Sequence, residues 1–269
     1  MSTVHPILIS IPHGGDFVPP EVKERVLITD RDIFYDGDAL THKIYDFRNC
    51  VEAVIKMPVA RAIIDVNRAP DDRPPGNPDG VVKAVTTAGT PVYKSGKFPD
   101  DAIIDNLLQQ YYFPYHKKLD NRMENCDIKL ALDCHSMLRY SPPIDVNPGQ
   151  PRPLICLCNR GDNSGMPTGE HSHVTCPPEW IQALADSFRQ VFAGEGEVAL
   201  NTPFSGGYIS QFHYERKGIP WIQIEINREL YLAEAYFVPQ KMQIKEGIIQ
   251  ELRQKISGAI IQFWTEISD

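Results

Sequence analysis

Short apolar runs that end abruptly in polar residues recur along the chain, and this pattern restricts the folds that it can adopt. The clearest runs are residues 7–11, 128–136 and 221–227, with the sequences ILISI, IKLALDCHS and WIQIEIN. Apolar runs of this length, bounded by breakers or charged residues, are typical of buried strands. Helical spacing marks residues 99–125 and the segment from about residue 239 onward. Strands that alternate with helices predict an α/β sandwich with a largely parallel sheet.

The composition favours one domain, over residues 1–269, because neither an internal repeat nor a linker interrupts the pattern. The net charge of −8 disfavours a broad basic surface, so we expect no nucleic-acid partner. No apolar run approaches the ~20 residues that span a bilayer, and the first residues lack the basic segment of a secretion signal. Six cysteines are too few for a disulfide scaffold in a chain of 269 residues. We therefore expect a cytoplasmic protein with a small-molecule ligand and no membrane contact, of unknown oligomeric state.

Polar side chains follow four predicted strands at the point where each strand ends. The fourth of these strands is predicted at 61–67, with the sequence RAIIDVN. Ligand sites in open α/β sheets lie beyond the carboxyl ends of the strands. These polar endings are therefore expected to meet at one edge of the sheet, which we call the rim. The polar endings are His13; Asp65, Asn67 and Arg68; Asp133, His135 and Ser136; and Glu225, Asn227 and Arg228.

His13 and His135 are the natural pair of metal ligands at this rim. Neutral imidazole is a common zinc ligand, and a strand end holds the ring rigidly. We therefore predict one divalent metal ion, zinc being the simplest choice, with Asp133 orienting a ligand histidine. The alternatives are that His13 is a loop residue and that His135 is a structural residue bonded to Asp133 or Ser136.

The third metal ligand is expected to be acidic, because a catalytic zinc usually has three protein ligands. Asp36 and Asp38, in YDGDAL just before a predicted helix at 39–49, are the best candidates. Aspartate at such a place is equally typical of a helix N-cap. Asp16, three residues after His13, is a weaker candidate.

Arginine and asparagine near this rim indicate an anionic substrate. Arg61, Asn67 and Arg68 offer a guanidinium fork and a neutral donor for a carboxylate, although ion pairs with neighbouring aspartates are the alternative. Glu225 lies inside an apolar strand, where a carboxylate is costly unless it is paired or functional. It is a candidate general base, with a salt bridge to Arg228 or Arg61 as the alternative.

The stretch FSGGYISQFHY at 204–214 adds three further candidates. Gly206 and Gly207 permit close approach of the backbone to a ligand. His213 is a candidate donor to a developing oxyanion, and a packed histidine among aromatic neighbours is an equal alternative. By contrast, Cys156 and Cys158 form a C-x-C that we interpret as part of a buried strand.

Several motifs together resemble those of the N-formylglutamate amidohydrolases, in the same order from residue 7 to about 231. The combination of P-H-x-G, D-x-N-R and D-x-H-S is the most specific part of the resemblance. The motifs, as they stand here, are ISIPHGG, DGDALTHKIYDF, RAIIDVNRAPDD, LALDCHSM, FSGGYI and IQIEINRELY.

The resemblance implies a three-layer α/β/α sandwich with a mixed, largely parallel sheet, similar to zinc carboxypeptidases and aspartoacylases. It also implies a metal-dependent hydrolase that cleaves the amide of an N-acyl amino acid, with N-formyl-L-glutamate as the first candidate substrate. The residues that carry over have three roles, which are metal binding by His13, Asp38 and His135; proton transfer by Glu225; and binding of a substrate carboxylate by Asn67, Arg68 and Arg61.

Two functional hypotheses follow from the sequence. The first is the hydrolase, in which Glu225 moves a proton, and Arg61 or His213 assists the metal at the oxyanion. Another N-acyl amino acid or a small peptide is the alternative substrate. The second hypothesis is a non-catalytic module that binds an acidic metabolite at the same rim. Turnover distinguishes the two.

Overall fold

A mixed, largely parallel sheet separates two layers of helices. The computed structural model describes residues 3–143 and 145–268, and within them six strands form this sheet in the order β2-β1-β3-β6-β4-β5. Neighbouring strands run parallel except for β4 and β6, which are antiparallel. The strands are β1 (His5–Ile11), β2 (Val51–Lys56), β3 (Leu130–Met137), β4 (Ile155–Cys158), β5 (Val198–Leu200) and β6 (Trp221–Asn227).

Helices cover both faces of the sheet, and a two-stranded hairpin of β7 (Phe237–Val238) and β8 (Gln243–Ile244) precedes the last one. No helix in the described part of the chain combines the length and the apolar character that a membrane span requires. The helices are α1 (Pro20–Lys23), α2 (Asp30–Asp36), α3 (Thr41–Ile44), α4 (Asp101–Leu107), a π-helical turn (Leu108–Tyr112), α5 (Phe113–Asn125), α6 (Pro178–Val191), α7 (Tyr208–Lys217), α8 (Glu229–Leu232) and α9 (Ile248–Ser268).

The two faces of the sheet have different chemistry, because side chains alternate along each strand. One face is apolar and packs against α6 and α9, as Ile224 on β6 and Leu132 on β3 illustrate. The opposite face is apolar toward the start of the strands, where α4, α5 and α7 cover it. Together these layers confirm the predicted α/β class with a mixed, largely parallel sheet.

Buried polar side chains occupy the second face toward the carboxyl ends of its central strands. Asp133 and His135 lie two residues apart on β3, and Gln223 and Glu225 do so on β6. The register pairs His135 with Glu225 across the two strands, so their side chains are neighbours on one face. All four are almost fully buried. The strand pairing therefore assembles a polar cluster inside an otherwise apolar layer.

The prediction of a strand at 61–67 is wrong. The chain turns after Ala60, and the N–H groups of Ile63 and Ile64 bond back to the carbonyl of Ala60. Its apolar side chains are nevertheless buried in the core beneath α4 and α5. An apolar run indicates burial, and here the burial belongs to a packed turn instead of a strand.

The helices also differ from the predictions in three places, two in their boundaries and one in an unpredicted helix. The helix predicted at 39–49 shortens to α3, and the C-terminal helix begins at Ile248 instead of about residue 239. Helix α7 was not predicted, because its aromatic and polar residues have little amphipathic pattern. The helix predicted at 99–125 is present, with the π-helical turn in its middle.

The glycines after His13 allow the chain to pass close to its own backbone. Neither has a positive φ. A Cβ on Gly15 would lie 2.3 Å from the carbonyl oxygen of Pro58, and a Cβ on Gly14 would lie 2.7 Å from Thr41 Oγ1. Both contacts are far shorter than van der Waals distance. The pair of glycines is therefore needed to seat the segment that follows His13 against its neighbours.

We expect Gly15→Ala to lower the free energy of unfolding by about 1–3 kcal/mol, because the added methyl group displaces backbone. Gly258→Ala is the matched control, since a Cβ there meets nothing within 4 Å and the residue lies in α9. That control should gain up to ~1 kcal/mol from helix propensity. Urea unfolding of both variants measures the difference, and a neutral Gly15→Ala variant would contradict the close approach.

Candidate active site

Three buried side chains bring ligand-capable atoms to one point beyond β1 and β3. His13 follows β1, His135 lies near the end of β3, and Asp38 comes from the turn after α2. His135 Nδ1 lies 3.2 Å from His13 Nδ1 and 3.0 Å from Asp38 Oδ2, and the remaining side of the triangle is 3.4 Å. Tetrahedral zinc ligands at ~2.0–2.1 Å from the metal lie about 3.3 Å from one another, so the three atoms could hold a metal ion.

The far nitrogens of both histidines face carboxylates. His13 Nε2 lies 2.8 Å from Asp65 Oδ1, and His135 Nε2 lies 2.9 Å from Asp133 Oδ2. Because a carboxylate only accepts, Nε2 carries the hydrogen in each neutral ring and Nδ1 keeps its lone pair. Two imidazole lone pairs and a carboxylate oxygen then converge without a hydrogen between them. Such a group requires a cation, either a proton or a metal.

The electrostatics of the group agree with this requirement. Burial alone would lower the pKa of His135, but the carboxylates of Asp133 and Asp38 hold the pKa well above its usual range. Burial alone would raise the pKa of Asp38, but hydrogen bonds from His13 and His135 hold it well below its usual range. The local potential therefore favours positive charge at the triangle.

Arg228 fixes the acidic member of the triangle, a contact that the sequence analysis did not foresee. Its three guanidinium nitrogens all donate: Nε to Ser136 Oγ at 3.0 Å, Nη1 to the carbonyl of Tyr35 at 2.8 Å and Nη2 to Asp38 Oδ1 at 3.1 Å. The other oxygen of Asp38 is left to face the histidines. Arg228 is buried, so its ion pair with Asp38 is shielded from water.

The other two acidic candidates for the third ligand lie elsewhere. Asp36 accepts the backbone N–H of Thr87 at 2.7 Å, and its other oxygen lies 3.5 Å from the buried ammonium of Lys83. Asp16 is exposed at the surface. Of the three aspartates considered from sequence, Asp38 is the one that meets the histidines.

Glu225 lies next to the triangle on the adjacent strand and is 6% exposed. Gln223 Nε2 donates to its Oε1 at 2.9 Å. Burial raises the pKa of Glu225 to about 7, with a further upward contribution from Asp38 and a downward one from His135. A carboxyl group with this pKa can both accept and release a proton near neutral pH.

Two arginines predicted at the rim line a cavity beside the triangle. Arg61 Nε donates to Asp65 Oδ2 at 3.0 Å, and Arg68 Nη2 donates to Asp79 Oδ2 at 2.7 Å. Arg61 thus pairs with Asp65, as the alternative from sequence expected, whereas the partner of Arg68 is Asp79, an aspartate that this alternative did not include. Arg68 is 37% exposed, so solvent still reaches its side chain.

Asn67 and the two glycines meet where α7 begins. Asn67 Oδ1 accepts the N–H of Ile209 at 2.8 Å, and its Nδ2 lies 3.3 Å from His135 Nε2. A Cβ on Gly207 would lie 2.2 Å from Asn67 Nδ2, so the close approach that the glycine permits is to this side chain. Gly206 lines the cavity with φ at +126°, a conformation that favours glycine.

The structure does not bring His213 to the cavity, so its prediction as an oxyanion donor is wrong. Its Nε2 lies 3.0 Å from His116 Nδ1, its Nδ1 lies 3.0 Å from Asp120 Oδ1, and its ring stacks on Trp221. It is fully buried on α7, where it faces His116 and Asp120 of α5. His116 in turn contacts the carbonyl of Val66. The sequence alternative, a packed histidine among aromatic neighbours, describes it correctly.

The cavity beside the triangle has a volume of about 490 Å³ and includes residues that the sequence analysis missed. Asp79 lines it and also pairs with the fully buried Lys83 at 2.7 Å. Lys83 had a signal in the sequence, because it interrupts the apolar stretch VVKAV as Glu225 interrupts β6. Arg152 also lines the cavity. It had no such signal, since it precedes a strand instead of following one.

Comparisons of sequence and of structure identify known proteins that this chain resembles. N-formylglutamate deformylase of Pseudomonas putida is 29% identical over 241 residues, which are 85% of this chain and 82% of that protein. The crystal structure of N-formylglutamate amidohydrolase from Ralstonia eutropha JMP134 matches with a TM-score of 0.75 at 20% identity, over 100% of this chain and 96% of that one. The gene product Atu2144 from Agrobacterium tumefaciens matches with a TM-score of 0.56 at 16% identity, over 96% and 90% of the two chains.

The structural matches establish a shared fold, and a match of the sequence to a family model identifies the family. The family model described as N-formylglutamate amidohydrolase matches residues 5–232. That range begins with β1 and ends with α8, so it includes the histidine–aspartate triangle, Glu225 and every arginine of the cavity. This chain therefore belongs to the N-formylglutamate amidohydrolase family.

Proposed function

We propose that this protein hydrolyses the amide bond of N-formyl-L-glutamate to formate and L-glutamate in a metal-dependent reaction. The observation that carries the proposal is the triangle of His13 Nδ1, Asp38 Oδ2 and His135 Nδ1, with Glu225 on the neighbouring strand. A bound divalent ion such as zinc would polarise the formyl carbonyl and acidify a water molecule. The match to N-formylglutamate deformylase supports the choice of substrate.

Glu225 is proposed to move the proton. It accepts a proton from the attacking water and then donates it to the leaving nitrogen, which becomes the amine of glutamate. Its position beside His135 and its pKa of about 7 suit both steps, because a group with a pKa near the working pH exchanges protons readily. Gln223 donates to one oxygen of Glu225, and the other oxygen is proposed to exchange the proton.

Binding and orientation of the substrate are assigned to the cationic side of the cavity. Asn67 and Arg68 are proposed to hold one carboxylate of the substrate, which aligns the formyl group with Glu225. Arg61 remains the proposed protein donor to the developing oxyanion, and His213 no longer has this role. Asp65 and Asp133 hold the two histidine rings in place and select the tautomer with Nδ1 free.

A non-catalytic module that binds an acidic metabolite is the competing proposal. Membership of a family of amide hydrolases and the position of a titratable carboxyl beside the triangle both favour the enzyme. Formate release from N-formyl-L-glutamate by the purified protein decides between the two. Binding of the compound without any formate release would favour the module.

Zinc binding should require Asp38 and not Asp16. We expect about one zinc per chain in the wild type, and Asp38→Asn should weaken zinc binding at least ~100-fold because it removes a charged ligand. Asp16→Asn is the matched control, since it removes an exposed acid that the sequence also proposed as a ligand. Titration of chelator-treated protein with zinc measures both. Equal loss of zinc affinity in the two variants, or no loss in either, would contradict the ligand assignment.

Glu225→Gln should lower kcat by at least ~10²–10⁴-fold, because the amide retains the shape of the side chain but cannot exchange a proton. Zinc content should remain, since Glu225 is not one of the three proposed ligands, and thermal stability should not fall, since glutamine replaces a buried carboxyl group without its charge. Glu215→Gln, at an exposed site on α7, is the control and should match the wild type. A Glu225→Gln protein with wild-type formate release would remove Glu225 from the mechanism.

The raised pKa of Glu225 also predicts a pH dependence of stability. The folded protein holds the proton with a pKa of about 7, against the ordinary 4.5, so folding favours the protonated form. The contribution of Glu225 to stability should therefore fall as pH rises from about 4.5 to 7 and level off above that. Glutamine mimics the protonated form and does not titrate.

Urea unfolding of chelator-treated wild type and Glu225→Gln at several pH values tests this. The free energy of unfolding of the wild type minus that of the variant should decrease as pH rises through this window. A difference that increases with pH, or stays constant, would show that Glu225 is already ionised below neutral pH in the folded protein.

A further inference from the structure

The reversed direction of β4 brings an additional arginine to the rim. Because β4 is antiparallel to β6, the residues before β4 lie at the same edge as the residues after β6, and the register pairs Ile155 with Ile226. Arg152 stands three residues before β4. Its backbone is fixed there, since Asn227 Nδ2 lies 3.3 Å from the carbonyl oxygen of Arg152 and the N–H of Arg152 donates to the carbonyl of Arg139.

The guanidinium of Arg152 is buried but only partly hydrogen-bonded. The side chain is 7% exposed and lies over the ring of Phe204 at 4.8 Å from its centre. Its Nη2 donates to Asp145 Oδ2 at 2.8 Å. No acceptor in the described part of the chain reaches its buried Nε–H. A buried donor without a partner is rare in folded proteins, so this nitrogen indicates a ligand.

Arg228 differs from Arg152 in how its guanidinium is hydrogen-bonded. It is equally buried and also lines the cavity, but each of its three nitrogens donates to a protein acceptor, so no nitrogen of its guanidinium lacks a partner. Arg152 keeps donors free, and the rigid fork of a guanidinium matches a carboxylate. Its acid partner within the described part of the chain, Asp145, is 30% exposed and so remains accessible to exchange with solvent or ligand.

Arg152 and Arg68 approach the cavity from different sides. Arg68 follows Asp65, which holds His13 on the β1 side, whereas Arg152 precedes β4. In the sheet, β3 and β6 lie between β1 and β4, and they carry His135 and Glu225. A ligand that lies over those two residues can therefore meet a guanidinium at each end.

We propose that Arg152 binds the second carboxylate of a dicarboxylic substrate and so selects an acidic side chain on the N-formyl amino acid. This inference rests on the proposed function, in which Asn67 and Arg68 hold the other carboxylate. Arg152 is a specificity-determining residue in this assignment. The substrate class is an N-formyl amino acid with a carboxylate at both ends.

The test compares N-formyl-L-glutamate with N-formyl-L-glutamine, which has the same shape but a neutral side-chain amide. Affinity for each is measured by calorimetry in a Glu225→Gln background, so that the compounds are not consumed. Formate release is measured separately with Glu225 present. The variants are Arg152→Met, Arg152→Lys, Arg68→Met and the control Arg139→Met, which changes an exposed arginine paired with Glu229.

We expect Arg152→Met to weaken binding of N-formyl-L-glutamate about 10- to 100-fold, the range for a hydrogen bond to a charged group. Binding of N-formyl-L-glutamine should change less than about 3-fold, so discrimination between the compounds collapses. Arg152→Lys should give an intermediate affinity for the dicarboxylate, because it keeps the charge and loses the fork. Arg68→Met should weaken both compounds, since both retain the α-carboxylate, and Arg139→Met should weaken neither.

Equal weakening of both compounds by Arg152→Met and Arg152→Lys would mean a structural role and overturn the assignment. Unchanged affinity for N-formyl-L-glutamate would also overturn it, as would a parent protein that binds the two compounds equally or binds neither. Formate release judges the proposed function separately. Selective, Arg152-dependent binding without any formate release would support the assignment and refute the hydrolase.

Discussion

The convergence of three acceptor atoms in a buried site is the constraint on which the rest of the rim depends. His13, His135 and Asp38 face one another at 3.0–3.4 Å, and each histidine is held by a further carboxylate. Left alone, so many acceptors would repel one another in a medium of low dielectric constant. The site is stable only because cationic groups surround the acids and because a cation is favoured at its centre.

The surrounding cations explain much of the local sequence. Arg228 pairs with Asp38, Arg61 with Asp65, and the buried Lys83 with Asp36 and Asp79. Burying such pairs costs desolvation that the attraction does not always offset, so a network of this size points to function instead of stability. Within the network, hydrogen bonds from His13 and His135 hold the pKa of Asp38 well below its usual range, and the charges of His13 and Arg61 do the same for Asp65. The loop that carries Asp79 and Lys83 is thereby attached to the site.

The sheet resolves the conflict between an apolar core and a polar site by separating them along each strand. Alternation sends Leu132 and Ile224 to the apolar face, while His135 and Glu225 reach the other. Near the carboxyl ends that second face is covered by the segment at 203–207 instead of a helix, which leaves room for a cavity. The same period of two explains why these strands look uniformly buried and yet contribute charged groups.

The sequence by itself determined which segments are buried and which residues carry chemistry. Apolar runs identified β1, β3 and β6, and a polar residue inside or just after such a run identified His13, His135 and Glu225, because burying a polar group is costly without a purpose. The tertiary structure alone decided which groups meet. It selected Asp38 over Asp36 and Asp16, removed His213 from the rim and replaced the strand predicted at 61–67 by a buried turn. It also brought Arg152 to the cavity by reversing β4. Local patterns report burial and periodicity, whereas strand direction and the pairing of distant charges depend on contacts between residues far apart in the chain, which no local window contains.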